Sequence, residues 1–192
     1  MIILIGGESH TGKTLLAQRL LEIYHYPYMS LDHLKMGFIK GLENPPFSVE
    51  EDSKITAFLW RIVVGIIETC IENEQNLILE GVNLTPKNVR NLLDSKPLAP
   101  IKVLFLIFSK QYILKQYHTI KRKENIIEKR KESYAASKEQ LIKEHSVLKE
   151  QCKKYKLPFI EIQEDYESEM QGWLWCNILS YNIINLLWSI YG

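Results

Sequence analysis

The residues with the clearest chemical purpose lie at the start of the chain, between Gly7 and Thr14. Two glycines with four residues between them, followed by lysine and threonine, fit the pattern G-x-x-x-x-G-K-[ST]. Glycine lets the backbone curl so that successive N–H groups point into one concavity, where they can bind phosphate oxygens. We predict that the whole loop binds nucleotide phosphates. Its members are Gly7, Glu8, Ser9, His10, Thr11, Gly12, Lys13 and Thr14.

Two side chains of this loop have separate expected roles. Lys13 is long enough to reach the β- and γ-phosphates, and the Thr14 hydroxyl can ligate Mg²⁺. The helical pattern that follows adds unpaired N–H groups and the positive end of a helix dipole. The alternative is a glycine turn that precedes a lysine by coincidence. The buried-strand pattern before the loop and the helical pattern after it favour phosphate binding.

Two carboxylates come at the ends of predicted strands. Asp32 follows a short second strand at about 27–30, and Glu80 ends a third strand within 76–81. Ligands of open α/β sheets gather beyond the carboxyl ends of the strands, so both acids are expected near the nucleotide. We predict that Asp32 contacts or activates the substrate and that Glu80 holds Mg²⁺ or contacts the acceptor. The alternative for Asp32 is a cap on a helix that begins at His33.

Three arginines are candidate anion ligands. Arg61, on a long predicted helix, could bind an anionic acceptor, although a solvated or salt-bridged arginine is the commoner outcome. Residues 118–156 contain half of the chain's 24 lysines and arginines. One interpretation is a lid at 118–137 that places Arg122 or Arg130 on the transferring group. The other is a solvated helical face with interspersed glutamates as ordinary ion-pair partners.

Composition limits the class of protein. A length of 192 residues, 46% hydrophobic and 24% charged, suits one globular domain at 1–192. A net charge of +1 gives no reason to expect nucleic acid or an anionic membrane as partner. The three widely spaced cysteines predict reduced thiols in the cytoplasm and argue against zinc or disulfides.

The end of the chain, residues 173–191, is apolar but interrupted by asparagine and serine, which argues against a membrane span. Its tryptophans could close the sheet or form a homodimer contact. Along the chain, five short apolar runs alternate with helical patterns, at about 2–5, 27–30, 76–81, 101–108 and 158–162. This alternation predicts a parallel, three-layer α/β domain.

The chain resembles the small-molecule and nucleotide kinases of the P-loop class. The residues that carry the resemblance are Gly7–Thr14, Ser30-Leu31-Asp32, Leu79-Glu80-Gly81 and the basic segment 122–130. They are similar to motifs of uridine-kinase-like, gluconate-kinase-like and zeta-toxin-like enzymes, and the opening is also similar to that of 2-phosphoglycerate-kinase-like proteins. The resemblance implies a P-loop NTPase fold with strand order 2-3-1-4-5, a helical lid, and ATP with Mg²⁺ as the phosphoryl donor.

In the enzymes that this chain resembles, the acid after the second strand contacts or deprotonates the acceptor hydroxyl, which implies that role for Asp32. Adenylate kinases carry an arginine a few residues past the third strand, and residues 82–86 contain none. This difference disfavours a nucleoside monophosphate acceptor. The chain also lacks an Asn-Lys-x-Asp motif and an Asp-x-x-Gly motif, which disfavours a GTPase.

The sequence therefore predicts an ATP-dependent kinase that transfers the γ-phosphoryl group to a hydroxyl of a small metabolite. Its predicted catalytic residues are Lys13, Asp32, Arg122 and Arg130. Two alternatives remain open. One is a nucleotide-dependent regulatory ATPase or switch that binds a protein partner, and the other is a toxin-type kinase acting on a nucleotide-sugar.

Overall fold

The structure is a computed structural model that describes residues 1–48, 51–123 and 137–174. This part of the chain forms five strands and seven helices, and each strand is followed by one or two helices. The strands are β1 (Ile2–Gly7), β2 (Tyr28–Ser30), β3 (Leu77–Glu80), β4 (Ile101–Phe108) and β5 (Phe159–Ile162). The helices are α1 (Lys13–Tyr24), α2 (Leu31–Gly41), α3 (Asp52–Glu72), α4 (Pro86–Ser95), α5 (Lys110–Lys123), α6 (Lys138–Lys154) and α7 (Tyr166–Leu174).

The strands form one sheet in the order β2-β3-β1-β4-β5, with every neighbouring pair parallel. This confirms the predicted three-layer α/β fold and its strand order. The register pairs Glu80 with Ile5 of β1 on one side and with Ser30 of β2 on the other. Since parallel strands end at the same edge, the acid that ends β3 lies beside the point where β1 turns into the glycine loop.

The sheet is apolar on both faces, which is typical of parallel strands covered by helices. All six residues of β1 are buried. Side chains that alternate along a strand point to opposite faces, so Ile2 and Leu4 contribute to one core while Ile3 and Ile5 contribute to the other. The first core contains residues of α3, α4 and α6, and the second contains residues of α1, α5, α6 and α7.

Helix α3 illustrates how helical spacing produces this packing. Its buried side chains are Ile55, Leu59, Val63, Ile67 and Cys70, which recur every three or four residues. Burying an aliphatic side chain of this size stabilises a fold by about 1.5–3 kcal/mol. Within the described ranges, no helix is both long and apolar enough to cross a membrane.

Helix α2 differs from the sequence-based expectation at its start. It begins at Leu31, two residues before His33, so Asp32 lies inside its first turn and does not cap it. The N-cap residue is Ser30, whose hydroxyl makes no capping hydrogen bond. The interpretation of Asp32 as a helix cap is therefore wrong.

The predicted lid at 118–137 runs from within α5 to the start of α6, and most of it is outside the described residues. The description of α5 runs to Lys123, and α6 starts at Lys138 with Ser137 as its cap, whose side chain accepts a hydrogen bond from the Gln140 N–H. Arg122 is in the last described turn of α5, and Arg130 lies outside the described residues. The lid at 118–137 stays a prediction.

Candidate active site

The loop between β1 and α1 has a backbone that only certain residues can adopt. Gly7 has φ +148°, His10 has φ +66° and Gly12 has φ +78°. A Cβ at Gly7 would lie 2.8 Å from the Leu106 carbonyl oxygen and 2.9 Å from Thr11 Oγ1. Position 7 therefore requires glycine for two reasons, its backbone conformation and the close approach of β4. His10 also has a left-handed backbone conformation. This conformation is uncommon for a residue other than glycine, and the residues that adopt it are concentrated at functional sites.

One carbonyl group organises the inside of the loop. The Thr11 hydroxyl donates to the Glu8 carbonyl oxygen at 2.9 Å, and the Lys13 ammonium donates to the same oxygen at 2.7 Å. Thr11 is fully buried and Lys13 is nearly so. The ammonium group of the predicted phosphate-binding lysine is thus hydrogen-bonded to the backbone of the loop, and it does not extend into solvent.

The start of α1 is suited to an anion. Gly12 is its N-cap and has no side chain to accept hydrogen bonds from the first turn. Backbone N–H groups and the helix dipole at such a terminus favour negatively charged ligands. On the other side, the Tyr166 hydroxyl of α7 donates to the Gly12 carbonyl oxygen at 2.9 Å, and a Cβ at Gly12 would collide with this hydroxyl.

The two predicted magnesium ligands are in contact. Thr14 Oγ1 donates to Glu80 Oε1 at 3.1 Å, which joins the first turn of α1 to the end of β3. Glu80 is almost fully buried, at 1% exposure. Adjacent ligands of an octahedral Mg²⁺, each at about 2.1 Å, lie roughly 3 Å apart. The hydroxyl–carboxylate pair therefore fits a hard divalent cation.

Asp32 lies in the first turn of α2, with 17% of its side chain exposed, and its carboxylate is 3.4 Å from the Lys35 ammonium. Ser30, two residues earlier, is paired with Glu80 across the β2–β3 register. The predicted substrate-contacting acid and the predicted magnesium-binding acid therefore follow adjacent strands at the same edge of the sheet. Because the Asp32 carboxylate is partly exposed, it can receive a proton from a hydroxyl group that approaches from solvent.

The arginines are placed differently. Arg61 is exposed on α3, on the side opposite the buried row that contains Leu59 and Val63. Arg122 is also exposed. The structure thus brings together the loop, Thr14 and Glu80, and it leaves Arg61 and Arg122 on the surface.

Two residues of α6, Glu144 and His145, interact electrostatically with charged residues of the loop. Burial raises the pKa of the Glu8 carboxyl, the nearby Glu144 raises it further, and Lys13 acts in the opposite direction. Burial lowers the pKa of His145 to about 4, with a further contribution from Lys13. His145 is therefore a neutral imidazole at neutral pH.

Sequence patterns did not identify two of these residues as parts of the site. Nothing close in sequence links Tyr166 to Gly12, which is 154 residues away. His145 occurs in the apolar row of a predicted helix with Leu141 and Leu148, and a polar residue in such a row was the available signal, because a buried polar group needs a partner.

Comparisons with known proteins address the fold. Neither a protein-family model nor a curated protein sequence matches the chain. A gluconokinase from Sinorhizobium meliloti 1021 has a similar structure, with 14% identity, a TM-score of 0.54, and 97% of this chain and 95% of that one covered. A shikimate kinase from Aquifex aeolicus vf5 is similar at 17% identity and TM-score 0.52, covering 91% of this chain and 94% of that one.

A deoxyadenosine kinase from M. mycoides with bound dATP is similar at 15% identity and TM-score 0.52, over 96% of this chain and 100% of that one. At these identities the similarity concerns the path of the backbone. It agrees with the sheet order and with the position of the glycine loop after β1. The chain therefore has the fold of the P-loop small-molecule kinases.

Proposed function

We propose that this protein is an ATP-dependent phosphotransferase that moves the γ-phosphoryl group to a hydroxyl of a small molecule. The observation that carries the proposal is the contact between Thr14 Oγ1 and Glu80 Oε1 at 3.1 Å. It places the hydroxyl that follows the loop lysine against a buried acid at the end of the neighbouring strand. The loop conformation, the position of Asp32 and the kinase fold of the similar structures support the same assignment.

In the proposed reaction the loop N–H groups and Lys13 bind the β- and γ-phosphates and offset their charge. Mg²⁺ held by Thr14 and Glu80 would neutralise charge on the phosphate oxygens. The acceptor hydroxyl oxygen bonds to the γ-phosphorus, the bond from that phosphorus to the β,γ-bridging oxygen breaks, and ADP leaves. The acceptor proton passes to the Asp32 carboxylate, and Arg122 or Arg130 closes over the transferring group.

The proposal includes a small-molecule partner, with neither nucleic acid nor a membrane surface as a ligand, and a cytoplasmic location. The cysteines support the location, because Cys70 and Cys152 are buried free thiols. Burial raises the pKa of the Cys152 thiol to about 12, so it is an unreactive packing residue. A homodimer through the apolar end of the chain stays a prediction, and most of that segment is outside the described residues.

The test is a phosphotransfer screen with ATP labelled at the γ-phosphate, across sugars, glycerates, nucleosides and nucleotide-sugars. We expect transfer to one class of hydroxyl compound by the wild-type protein and background transfer by Lys13→Ala. Lys40→Ala is the matched control, because Lys40 is exposed in the last turn of α2. Thermal unfolding of each variant verifies that loss of transfer is not loss of the fold.

The outcome separates the proposal from its alternatives. Label transfer only to nucleotide-sugars identifies a toxin-type kinase. Slow ATP hydrolysis that no acceptor changes identifies a regulatory ATPase and contradicts the metabolite-kinase proposal. If the wild-type protein binds no ATP, the assignment of the loop itself is wrong.

A further inference from the structure

The gap between β1 and β4 at the carboxyl edge of the sheet contains a feature that the proposed reaction does not use. Successive N–H groups of a strand point to opposite neighbours. In β4, the N–H groups of Phe105 and Ser109 donate toward β5, to Pro158 and Ile162. The N–H of Phe108 therefore points toward β1. Strand β1 ends at Gly7, which is paired with Leu106, so no residue of β1 is opposite Phe108.

This gap is also the place where the chain connections diverge. From β1 the chain crosses to β2 on one side, and from β4 it crosses to β5 on the other. In open α/β sheets, ligands bind in the crevice at such a point. A side chain that occupies the gap between β1 and β4 is consequently close to the ligand of the glycine loop.

The side chain that fills it is His145 of α6. Its Nδ1 accepts the Phe108 N–H at 3.1 Å, and its ring stacks on the Phe108 ring with 5.3 Å between centroids. His145 is only 2% exposed. A neutral imidazole that accepts at Nδ1 carries its hydrogen on Nε2, so this histidine presents an Nε2–H donor.

That donor has no hydrogen-bond partner among the described residues. Buried donors are rarely left unsatisfied, since the desolvation cost is not recovered. The sheet register indicates where an acceptor would come from. Because Leu106 is paired with Gly7, the end of β4 that His145 completes lies beside the loop that follows Gly7. The charge interactions agree with this placement, since Glu144 raises the pKa of the Glu8 carboxyl and Lys13 lowers the pKa of His145.

We propose that His145 Nε2–H donates a hydrogen bond to a phosphate oxygen of the nucleotide in the glycine loop. This inference rests on the proposed function, because it requires that the loop binds a polyphosphate. It assigns α6 a direct contact with the ligand through a neutral donor. His145 then makes two hydrogen bonds with different functions. Nδ1 accepts one from the last N–H of β4, and Nε2–H donates one to the bound phosphate.

Two amide substitutions separate these tasks. In His145→Asn, the amide oxygen can replace Nδ1 as the acceptor for Phe108 while the Nε2–H donor is lost. In His145→Gln, the longer side chain can replace the Nε2–H donor, but its amide no longer matches the Nδ1 position. His25→Asn is the matched control, because His25 is exposed at the C-terminal end of α1.

The measurement is calorimetric binding of ATP, ADP, AMP and inorganic tripolyphosphate, each without a divalent cation. We expect His145→Asn to unfold at a temperature close to wild type but to bind ATP and tripolyphosphate about 10–100-fold more weakly, as for a lost hydrogen bond to a charged group. His145→Gln should retain more affinity and less stability. His25→Asn should match wild type in both.

The failures are distinguishable. If wild type binds neither ATP nor tripolyphosphate, both this inference and the proposed function fall. If wild type and His145→Asn bind them equally, only the proposed role of His145 is wrong. The Nε2–H group then donates no hydrogen bond to phosphate. Should His145→Asn not fold, the wild-type protein still gives the answer: the Nε2 nitrogen resonance of His145 should shift on saturation with tripolyphosphate, and an unchanged resonance overturns the proposal.

Discussion

Asp32 is the residue on which the proposed chemistry depends most directly. Its side chain lies in the first turn of α2, partly exposed, with the Lys35 ammonium 3.4 Å away. Asparagine keeps the size of aspartate and its capacity to accept hydrogen bonds, but it cannot take up the acceptor proton. The substitution therefore isolates basicity from packing.

We expect Asp32→Asn to reduce turnover by roughly 10²–10⁴-fold, the usual effect of losing a general base, with ATP affinity near the wild-type value. Steady-state kinetics with the acceptor from the screen and calorimetry with ATP measure the two quantities. Asp52→Asn is the control, because Asp52 occupies the first turn of α3 and is exposed. Unchanged turnover would reduce Asp32 to a structural residue.

The lowered pKa of His145 predicts how the free energy of unfolding depends on pH. Its pKa is about 4 in the folded chain against 6.5 for an ordinary histidine, because burial and the charge of Lys13 disfavour the imidazolium. Below pH 6.5 the unfolded chain binds a proton that the folded chain does not bind until about pH 4. The contribution of the neutral histidine is thus complete above pH 6.5 and declines as the pH falls toward 4.

The size of this effect between pH 6.5 and 4 is roughly 3 kcal/mol. Urea unfolding at a series of pH values measures it, with His145→Asn as the reference because the carboxylates titrate in both proteins. We expect the wild-type free energy of unfolding to fall more steeply with decreasing pH than that of the variant. Parallel profiles would mean that His145 titrates normally in the fold.

At the scale of elements, the site depends on how α7 docks. Tyr166 donates its hydroxyl to Gly12, and Glu167 pairs with Arg19 of α1 at 2.5 Å. Burial raises the pKa of the Tyr166 hydroxyl, so it stays a donor through the alkaline range. The last described helix thereby positions the turn that begins α1. Because the Leu16 N–H also donates to the Gly12 carbonyl, that oxygen keeps one partner without Tyr166.

We expect Tyr166→Phe to lower the free energy of unfolding by about 0.5–1.5 kcal/mol, the net contribution of one ordinary hydrogen bond, and toward the lower end because Gly12 keeps its helical partner. ATP affinity should fall along with it if the contact also holds the loop in its binding conformation. Chemical denaturation and calorimetry measure both. Arg19→Ala is the comparison, since a partly exposed ion pair contributes little; an equal or larger loss there would contradict the emphasis on Tyr166.

At the scale of the whole molecule, the strand order assembles the site. Placing β1 between β3 and β4 puts the glycine loop beside Glu80 on one side and beside the end of β4 on the other. Strand β2 is the neighbour of β3 on the side away from β1, and it contributes Ser30 and, two residues later, Asp32. The candidate active site is therefore a row along one edge of the sheet, in which each residue is supplied by a different strand–helix junction.

Much of this arrangement was predictable from local patterns. Runs of branched apolar residues place β1 and β4, and the predicted fourth strand at 101–108 coincides with the observed one. Local chemistry also accounts for the start of α4, where the Thr85 side chain accepts a hydrogen bond from the Asn88 N–H and Pro86 occupies the first turn. The start of α2 was not predicted, because Leu31 and Asp32 satisfy both the strand-end and the helix pattern, and sequence periodicity locates boundaries poorly.

The amino-acid sequence alone determined the strand and helix alternation, the glycine loop and the identity of its lysine and threonine, because each depends on residues only a few positions apart. Three contacts could be found only in the folded chain: Thr14 with Glu80 across 66 residues, His145 with the end of β4 across 37, and Tyr166 with Gly12 across 154. Those contacts depend on which strands become neighbours and which face of each helix packs on the sheet. Local spacing restricts these outcomes, and burial of the whole core selects among them.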